Sequence, residues 1–519
     1  MTLAVDRPGP AARAAGRVSI TAALIVKDEE QVLAEALQAV APFVDEVVVY
    51  DTGSTDATRE IARACGAVVV EGYWDDDFAA ARNRGLGHVT SDWVLTIDAD
   101  EVVSGDVETF RAYVDAFPGD AVCLRIASPT VRGGASGGDT VMSRLFRRAA
   151  GRWDGALHEH LVSADTGEVL QRSLECAPIA VLHSGYFSDV RESRGKAARN
   201  LRIARRTVEG LTAGGEDAAR AWLHLGRCLV ATGEVVEALD AFAQVVERSR
   251  KDLTLALAAR AAVAAAIRAE RPEEARAWTQ VSRAAGEAPG LVHQMLAEVA
   301  AAEGDHLAAI RELAAARDGV DPWGSPYDAR DARLSQAKLE ATHGDPAVAV
   351  HLLHGVLASG YAGTPLATVI EVALSAGADL TGTAAIVDDA FVERSLRECF
   401  SIRPPYADAW LTALHVAGRS PARALVAGAA LAQRLPLEGK LTWSLRLREA
   451  GLAEYCPLRR FADDEAGPRA DRCIALFVLA QVLGEVDAAA AFEPLWSRLD
   501  ETEQQGTAAT LAAWIPAGA

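Results

Sequence analysis

The stretch Trp93-Val94-Leu95-Thr96-Ile97-Asp98-Ala99-Asp100-Glu101 is an apolar run that ends abruptly in acidic residues. Its apolar part, 93–97, has the length and composition of a buried β-strand. The two aspartates stand two positions apart, where the chain turns out of the sheet. Paired carboxylates at such a point suit Mg²⁺ or Mn²⁺ carrying a diphosphate, although an isolated Asp-x-Asp is also common in ordinary acidic turns. The segment therefore predicts a strand with a candidate metal site at its end.

Strands and helices alternate from residue 18 to about residue 190. The apolar runs predict strands at 18–26, 46–50, 67–71 and 93–97, and helical spacing predicts helices at 30–41, 55–65 and 77–89. This order indicates a mostly parallel, Rossmann-like α/β sheet with right-handed crossovers. Ligands of such sheets bind beyond the carboxyl ends of the strands, where Asp51 and Asp98 are both expected. Ser54 or Thr55 is the predicted N-cap of the second helix.

The pattern changes near residue 215, where the strands stop and the chain becomes rich in Ala and Leu. The segment WLHLG at 222–226 and its continuation to residue 242 have the spacing of a tetratricopeptide (TPR) helix pair, and weaker copies follow. An all-α, TPR-like solenoid is therefore expected. The predicted organisation is a disordered leader (1–16), an α/β domain (17–205), a linker (206–218), TPR-like repeats (219–360) and a further helical domain (361–519).

Composition excludes several classes of partner. The 519 residues include 52 Lys+Arg and 72 Asp+Glu, which gives a formal net charge of −20. Such a charge repels nucleic acid and anionic membranes, so we expect no nucleic-acid partner. No stretch reaches the ~20 apolar residues of a transmembrane helix. The seven cysteines are scattered without paired spacing, which is typical of reduced thiols and predicts a cytoplasmic protein.

Several motifs occur in a fixed order along the first 205 residues. They are IVKDE at 25–29, DTGSTD at 51–56, FAAARN at 78–83, DADE at 98–101, and a later group comprising RLFR at 144–147, LHE at 157–159 and VLHSGY at 181–186. Together these motifs resemble glycosyltransferase family 2, whose members are inverting, nucleotide-sugar-dependent enzymes with the GT-A fold. The pattern at 196–200 resembles a subgroup in which TPR helices often follow.

The resemblance implies roles for residues on the donor side. Asp51 would contact the nucleotide base or ribose, and Lys27 and Glu29 would border that pocket at the end of the first strand. Arg82 would orient the donor near its ribose or diphosphate. A UDP-sugar is the donor that we expect.

The resemblance also implies a metal site and a base. Asp98 and Asp100 would hold Mn²⁺ or Mg²⁺, with Asp98 also on the donor side and Glu101 in support. His183 is either a third metal ligand or a histidine satisfied by backbone groups near the sheet edge. Glu159, expected at a strand end in another part of the same sheet, would be the general base, because inversion needs a carboxylate on the face opposite the departing diphosphate.

The expected function is inverting transfer of a sugar to an acceptor hydroxyl or thiol. The helical repeats favour a peptide or protein acceptor, or a homodimer formed through the helical region, while a surface-glycan acceptor stays open. The alternative is a non-catalytic TPR scaffold with a degenerate GT-A domain. A basic segment at 191–206 either complements donor phosphates or docks the two halves of the chain.

Overall fold

The computed structural model describes residues 17–127, 140–170, 176–183, 190–211, 214–324 and 326–514. The predicted leader, residues 1–16, lies outside these described residues. The chain forms two compact units, the first comprising Met1–Glu303 with Val320–Ser325 and the second comprising Gly304–Gly319 with Pro326–Ala519. The domain boundaries given above stay predictions.

The N-terminal half is an α/β layer structure. Its elements are β1 (Ile20–Val26), α1 (Leu33–Val40), β2 (Glu46–Asp51), α2 (Thr58–Ala64), β3 (Val68–Glu71), α3 (Phe78–Leu86), β4 (Trp93–Thr96), β5 (Glu101–Gly105), α4 (Val107–Ala116), β6 (Ala121–Ala127), β7 (Thr140–Arg147), β8 (Gly151–Asp154), β9 (His160–Ser163) and β10 (Cys176–His183). All strands except β8 and β9 join one eight-stranded sheet in the order β3-β2-β1-β4-β7-β6-β10-β5.

Strand directions confirm the predicted fold class. Strand β1 is parallel to β2 and β4, and β2 is parallel to β3. Strand β7 runs antiparallel between β4 and β6, and β10 is parallel to β6 but antiparallel to β5. The central strands are continuous apolar runs because they form the buried layer of the domain, and Ile20, Trp93 and Leu95 have no exposed surface.

The predicted N-cap of the second helix is wrong. Helix α2 begins at Thr58, and its N-cap residue is Ala57, which makes no side-chain cap. The two polar residues before it are engaged elsewhere, because the Asp28 amide donates to Ser54 Oγ at 2.9 Å and the Thr55 amide donates to Asp28 Oδ1 at 2.7 Å. These bonds instead tie together the segments that follow β1 and β2.

The described residues beyond β10 are helical, as predicted, apart from one pair of two-residue strands. The first unit contains α5 (Val190–Glu209), α6 (Glu216–Thr232), α7 (Val235–Arg248), α8 (Asp252–Arg268), α9 (Pro272–Ala284) and α10 (Pro289–Ala302). The elements that follow are α11 (His306–Ala315), β11 (Gly319–Val320), β12 (Pro326–Tyr327), α12 (Arg330–His343), α13 (Pro346–Ala358), α14 (Leu366–Ser375), α15 (Leu380–Ile386), α16 (Asp389–Glu398), α17 (Pro404–Val416), α18 (Pro421–Leu431), α19 (Leu437–Glu449), α20 (Pro457–Asp463), α21 (Arg469–Gln481), α22 (Val486–Trp496) and α23 (Glu501–Trp514).

Helices α6 and α7 pack as the TPR-like pair that the sequence predicts. A Cβ atom at Gly226 would collide with the ring of Phe242, so only glycine allows the two helices to approach this closely. Helix α6 ends at Gly233, whose φ of +90° is readily accessible to glycine. Within the described part of the chain, no helix combines the length and apolar character needed to cross a membrane.

Helix α5 makes ion pairs on both of its sides. Arg202 contacts Asp76 of the α/β elements at 2.7 Å, and Arg205 contacts Glu234 and Glu237 at the start of α7, at 2.8 Å each. These pairs favour the docking interpretation of the basic segment. The side chains of Arg191 and Arg194 lie outside the described residues.

Candidate active site

The residues predicted for the site lie at the carboxyl edge of the sheet. Asp51 is the last residue of β2, Lys27 and Glu29 follow the end of β1, and Asp98 comes two positions after β4. Because these three neighbouring strands are parallel, their carboxyl ends open at the same edge. The topology therefore brings the donor-side and metal-side candidates to one crevice.

Asp51 is almost fully buried, with 1% of its side chain exposed. Its carboxylate accepts hydrogen bonds from the amides of Gly53 and Ser54, at 3.2 Å and 3.1 Å, and lies 4.0 Å from Arg59 Nε. It thus fixes the turn that follows β2. Lys27 is exposed, whereas Glu29 is half-buried and donates its amide to the hydroxyl of Thr58 at 2.7 Å.

The centre of the site is a single guanidinium that joins two carboxylates. Arg82, on α3, donates through Nε to Glu159 Oε1 at 2.6 Å and through Nη2 to Asp98 Oδ1 at 2.8 Å. The exposed fractions of the side chains are 8% for Arg82, 15% for Glu159 and 35% for Asp98. Three residues predicted separately from the sequence are therefore in direct contact.

A second arginine, Arg144 on β7, holds the other side of Asp98. Its Nη2 lies 3.1 Å from Asp98 Oδ2 and 3.4 Å from Glu101 Oε1, and Glu101 Oε2 accepts the amide of Asp98 at 2.7 Å. Glu101 therefore supports Asp98, as expected. Arg144 was missing from the predicted site. Its position beside Leu145 and Phe146 is the signal in the sequence, because an arginine in an apolar strand is buried there and must pair with a carboxylate.

These contacts shift the pKa values of the cluster. Burial raises the pKa of Asp98, but the charges of Arg144 and Arg82 outweigh burial and hold it well below its usual range. Burial, together with the charge of Asp98, raises the pKa of Glu101. Burial lowers the pKa of Arg82, yet Asp98 and Glu159 raise it further than burial lowers it. Asp98 is therefore a carboxylate at neutral pH, which is the form a metal ion requires.

Glu159 does not belong to the main sheet, so its predicted placement there is wrong. It lies just before β9, in the separate two-stranded ribbon of β8 and β9. This ribbon is fixed to α3, because the Asn83 amide group donates to the Trp153 carbonyl at 2.8 Å and accepts from the Trp153 amide at 2.9 Å. The Arg82 guanidinium lies 5.3 Å from the centre of the Trp153 ring, over its face.

Asp100 and His183 complete the predicted metal set. Asp100 is half-buried in the turn between β4 and β5. His183 ends β10, where its Cα is paired with Glu101 of β5, but its side chain lies outside the described residues. Among the side chains that the structure describes, no three His, Cys, Asp or Glu residues form a potential metal-binding group. The metal-binding roles therefore stay predictions.

Part of the α/β region matches a known family. Residues 21–160 match the family model described as glycosyl transferase family 2. A TPR repeat-containing protein of Synechococcus elongatus is 31% identical over 244 residues, which cover 46% of this chain and 59% of that protein. The SPbeta prophage-derived glycosyltransferase SunS of Bacillus subtilis is 26% identical over 192 residues, which cover 36% of this chain and 44% of that protein.

The chain thus spans about half the length of these two curated relatives. Among solved structures, a mannosyltransferase of Pyrobaculum calidifontis in complex with GDP-Man and Mn²⁺ is 19% identical, and the match covers 56% of this chain and 87% of that one. Its TM-score of 0.28 is too low to support a structural argument. The match of the sequence motifs and the topology of the sheet agree with each other, and residues 21–160 therefore form a glycosyltransferase family 2 domain.

Proposed function

We propose that this chain is an inverting glycosyltransferase that moves a sugar from a nucleotide-diphosphate-sugar to a hydroxyl or thiol of an acceptor. One observation carries the proposal: Arg82 bonds both Glu159, the candidate base, and Asp98, the candidate metal ligand, at the carboxyl edge of a family 2 domain. These are the two charged groups that such a transfer needs close to the anomeric carbon.

The donor occupies the crevice beyond β1, β2 and β4 in this proposal. Asp51, Lys27 and Glu29 border the base and ribose, and Arg82 lies nearer the diphosphate. A UDP-sugar is the donor that we favour. The carboxylate of Asp51 is buried and bonded to the turn after β2, so in this proposal Asp51 acts on the donor by fixing this wall of the crevice.

We propose that a divalent cation binds on the acidic side of the crevice. Asp98 is ionised and Asp100 stands two residues away, so both offer the hard oxygen ligands that Mn²⁺ and Mg²⁺ prefer. We propose Asp98 and Asp100 as the ligands, with His183 as a third. When bound, the ion neutralises charge on the departing diphosphate.

Glu159 accepts the proton of the acceptor hydroxyl or thiol as that group attacks the anomeric carbon of the donor sugar. Its Oε1 is held by Arg82, while no hydrogen bond from the described residues reaches its Oε2. That second oxygen is the proposed proton acceptor. We propose a peptide or protein acceptor recruited by the helical repeats; a glycan acceptor, and a homodimer formed through the helical region, are the alternatives.

Donor binding is the first test. Melting temperature is measured against a panel of nucleotides and nucleotide sugars, with and without Mn²⁺, because a ligand that binds only the folded protein raises its melting temperature. We expect a metal-dependent rise with one nucleotide, most of all a uridine nucleotide. No rise with any ligand at millimolar concentration would contradict the proposal and favour the scaffold alternative.

A further inference from the structure

The loop that carries Glu159 is in contact with the first repeat helix. The ring of His158, the residue directly before Glu159, packs in a tilted arrangement against the ring of His224 on α6, with 4.6 Å between the ring centroids and 30° between the ring planes. Leu157 packs against the apolar cluster of helices α5 to α10, which includes Leu201 and Leu223. The side chains of two consecutive residues of the loop, Leu157 and His158, thus pack against helices rather than against the sheet.

The opposite side of the same loop is seated on the α/β elements. The Phe78 amide of α3 donates to the Ala156 carbonyl at 3.0 Å, and Arg82 of α3 bonds Glu159. The segment 155–159 is therefore held between α3 and α6. Removing either contact surface frees one side of the loop.

The backbone of the loop needs this support. His158 has a φ of +54°, in the left-handed region that costs a non-glycine residue roughly 1–2 kcal/mol. Such a conformation persists only where the surroundings enforce it. The ring of His224 and the apolar seat of Leu157 are the surroundings that the structure provides on the helical side.

Both imidazoles of this pair are neutral at neutral pH. Burial, followed by the neighbouring His158 and Arg227, lowers the pKa of His224 to about 3. Burial and Arg227 likewise lower the pKa of His158, with Glu159 opposing them. Two neutral rings pack together without charge repulsion, so the contact is stable under the conditions in which an enzyme would be assayed.

We propose that His224 of the first repeat helix is a positioning residue of the catalytic centre, which holds His158 so that Glu159 stays on Arg82. This inference rests on the proposed function, since it gives His224 its role through the candidate base. The first TPR-like helix then supports the reaction itself, in addition to any part that the repeats play in recruiting the acceptor.

The test compares His224→Ala with His224→Phe, which keeps a planar ring. The probe is the nucleotide sugar that gives the largest melting shift in the panel above, and the readouts are its dissociation constant and its rate of hydrolysis to free nucleotide. We expect His224→Ala to lower kcat by about 10- to 100-fold, the effect of displacing a catalytic group by about 1 Å. The dissociation constant of His224→Ala should change less than about twofold, because the donor pocket stays intact. His224→Phe should restore most of kcat, because it keeps a planar ring against His158.

A control comes from another pair of histidine rings, His306 and His343, which stack with their centroids 3.7 Å apart within the second unit. His343→Ala removes that ring contact and changes no residue assigned to the site, so kcat should stay at the wild-type value. Hydrogen exchange of the 155–160 amides gives a readout independent of turnover, and we expect it to accelerate in His224→Ala but not in His224→Phe.

Three results would overturn the inference. The first is wild-type turnover in His224→Ala, and the second is unchanged hydrogen exchange in its 155–160 loop. The third is that His224→Ala loses both nucleotide binding and kcat, and that His224→Phe restores neither. A wild-type protein that binds and hydrolyses no nucleotide sugar would instead contradict the proposed function. In that case faster loop exchange in His224→Ala still supports the positioning contact, and unchanged exchange overturns it.

Discussion

Arg82 Nε lies 2.6 Å from Glu159 Oε1, although the two residues are 77 positions apart in the chain. Both side chains are largely buried. Taking such a pair out of water costs free energy that its mutual attraction only partly returns, so the pair is weak evidence for stability. Its contact with Asp98 gives it a better explanation as part of a working site.

Replacing Arg82 should destabilise the fold. Arg82→Met leaves two carboxylates without their shared cation, and breaking a buried pair in this way costs about 3–5 kcal/mol. Urea denaturation measures the loss. The control is Arg202→Met, since Arg202 is exposed and its pair with Asp76 is worth at most about 1 kcal/mol. Equal effects of the two substitutions would contradict the central place given to Arg82.

The contribution of Asp98 to stability should depend on pH. Its folded-state pKa lies below the unfolded value of about 3.9, so the carboxylate stabilises the fold above that pH. This contribution is lost as pH falls towards the folded-state pKa. The difference in the free energy of unfolding between wild type and Asp98→Asn should therefore shrink measurably between pH 7 and pH 3.5. Urea denaturation at the two pH values measures it, and a constant difference would contradict the prediction.

Glu159→Gln should separate binding from catalysis. Loss of a general base lowers the rate by about 10²- to 10⁴-fold. The donor should still bind, because its proposed pocket lies beyond β1, β2 and β4. Turnover and the dissociation constant of the donor are the measurements. The comparison variant is Asp154→Asn, in the same ribbon, and wild-type turnover by Glu159→Gln together with its loss in Asp154→Asn would move the base to Asp154.

The metal role of Asp100 can be tested without an acceptor. Asp100→Asn should abolish the part of the nucleotide-induced melting shift that depends on Mn²⁺, since it removes a charged oxygen ligand. Asp120→Asn is the control, because Asp120 is exposed and its carboxylate lies 3.7 Å from Arg147, which has no proposed role in the site. A metal-dependent shift of wild-type size in Asp100→Asn would show that the ion is held by other groups.

The amide of Asn83 should matter for stability beyond its small size. Asn83→Ala removes both hydrogen bonds to the backbone of Trp153 and leaves those groups unpaired, at a cost of about 1–3 kcal/mol for each buried group. Thermal and urea denaturation measure the effect. A change below about 0.5 kcal/mol, the range of ordinary surface substitutions, would mean that the ribbon is held mainly by other contacts.

The sheet could be predicted because its central strands are continuous apolar runs, and a parallel sheet places their carboxyl ends together whatever the loops do. Asp51 and Asp98 were placed at this edge in this way, whereas Arg82, on a helix, was assigned from the family resemblance. The ribbon with Glu159 was misplaced because its two strands have only four residues each, and the sequence pattern does not show whether such short strands pair with the main sheet or with each other. The left-handed backbone of His158 left no signal, since non-glycine residues rarely adopt it and only tertiary contacts enforce it here.

The seating of Leu157 and His158 has a consequence for dividing the protein into parts. A fragment that stops at residue 205, the predicted end of the α/β domain, would expose a leucine and an imidazole that α6 and its neighbours cover. Such a fragment should aggregate and have low catalytic activity even if its sheet folds. A fragment of the protein should therefore end no earlier than Glu303, the last residue of the main segment of the first compact unit. In a chimera that exchanges the repeats of two related proteins, the first helix pair, α6 and α7, should likewise stay with the sheet of its own protein.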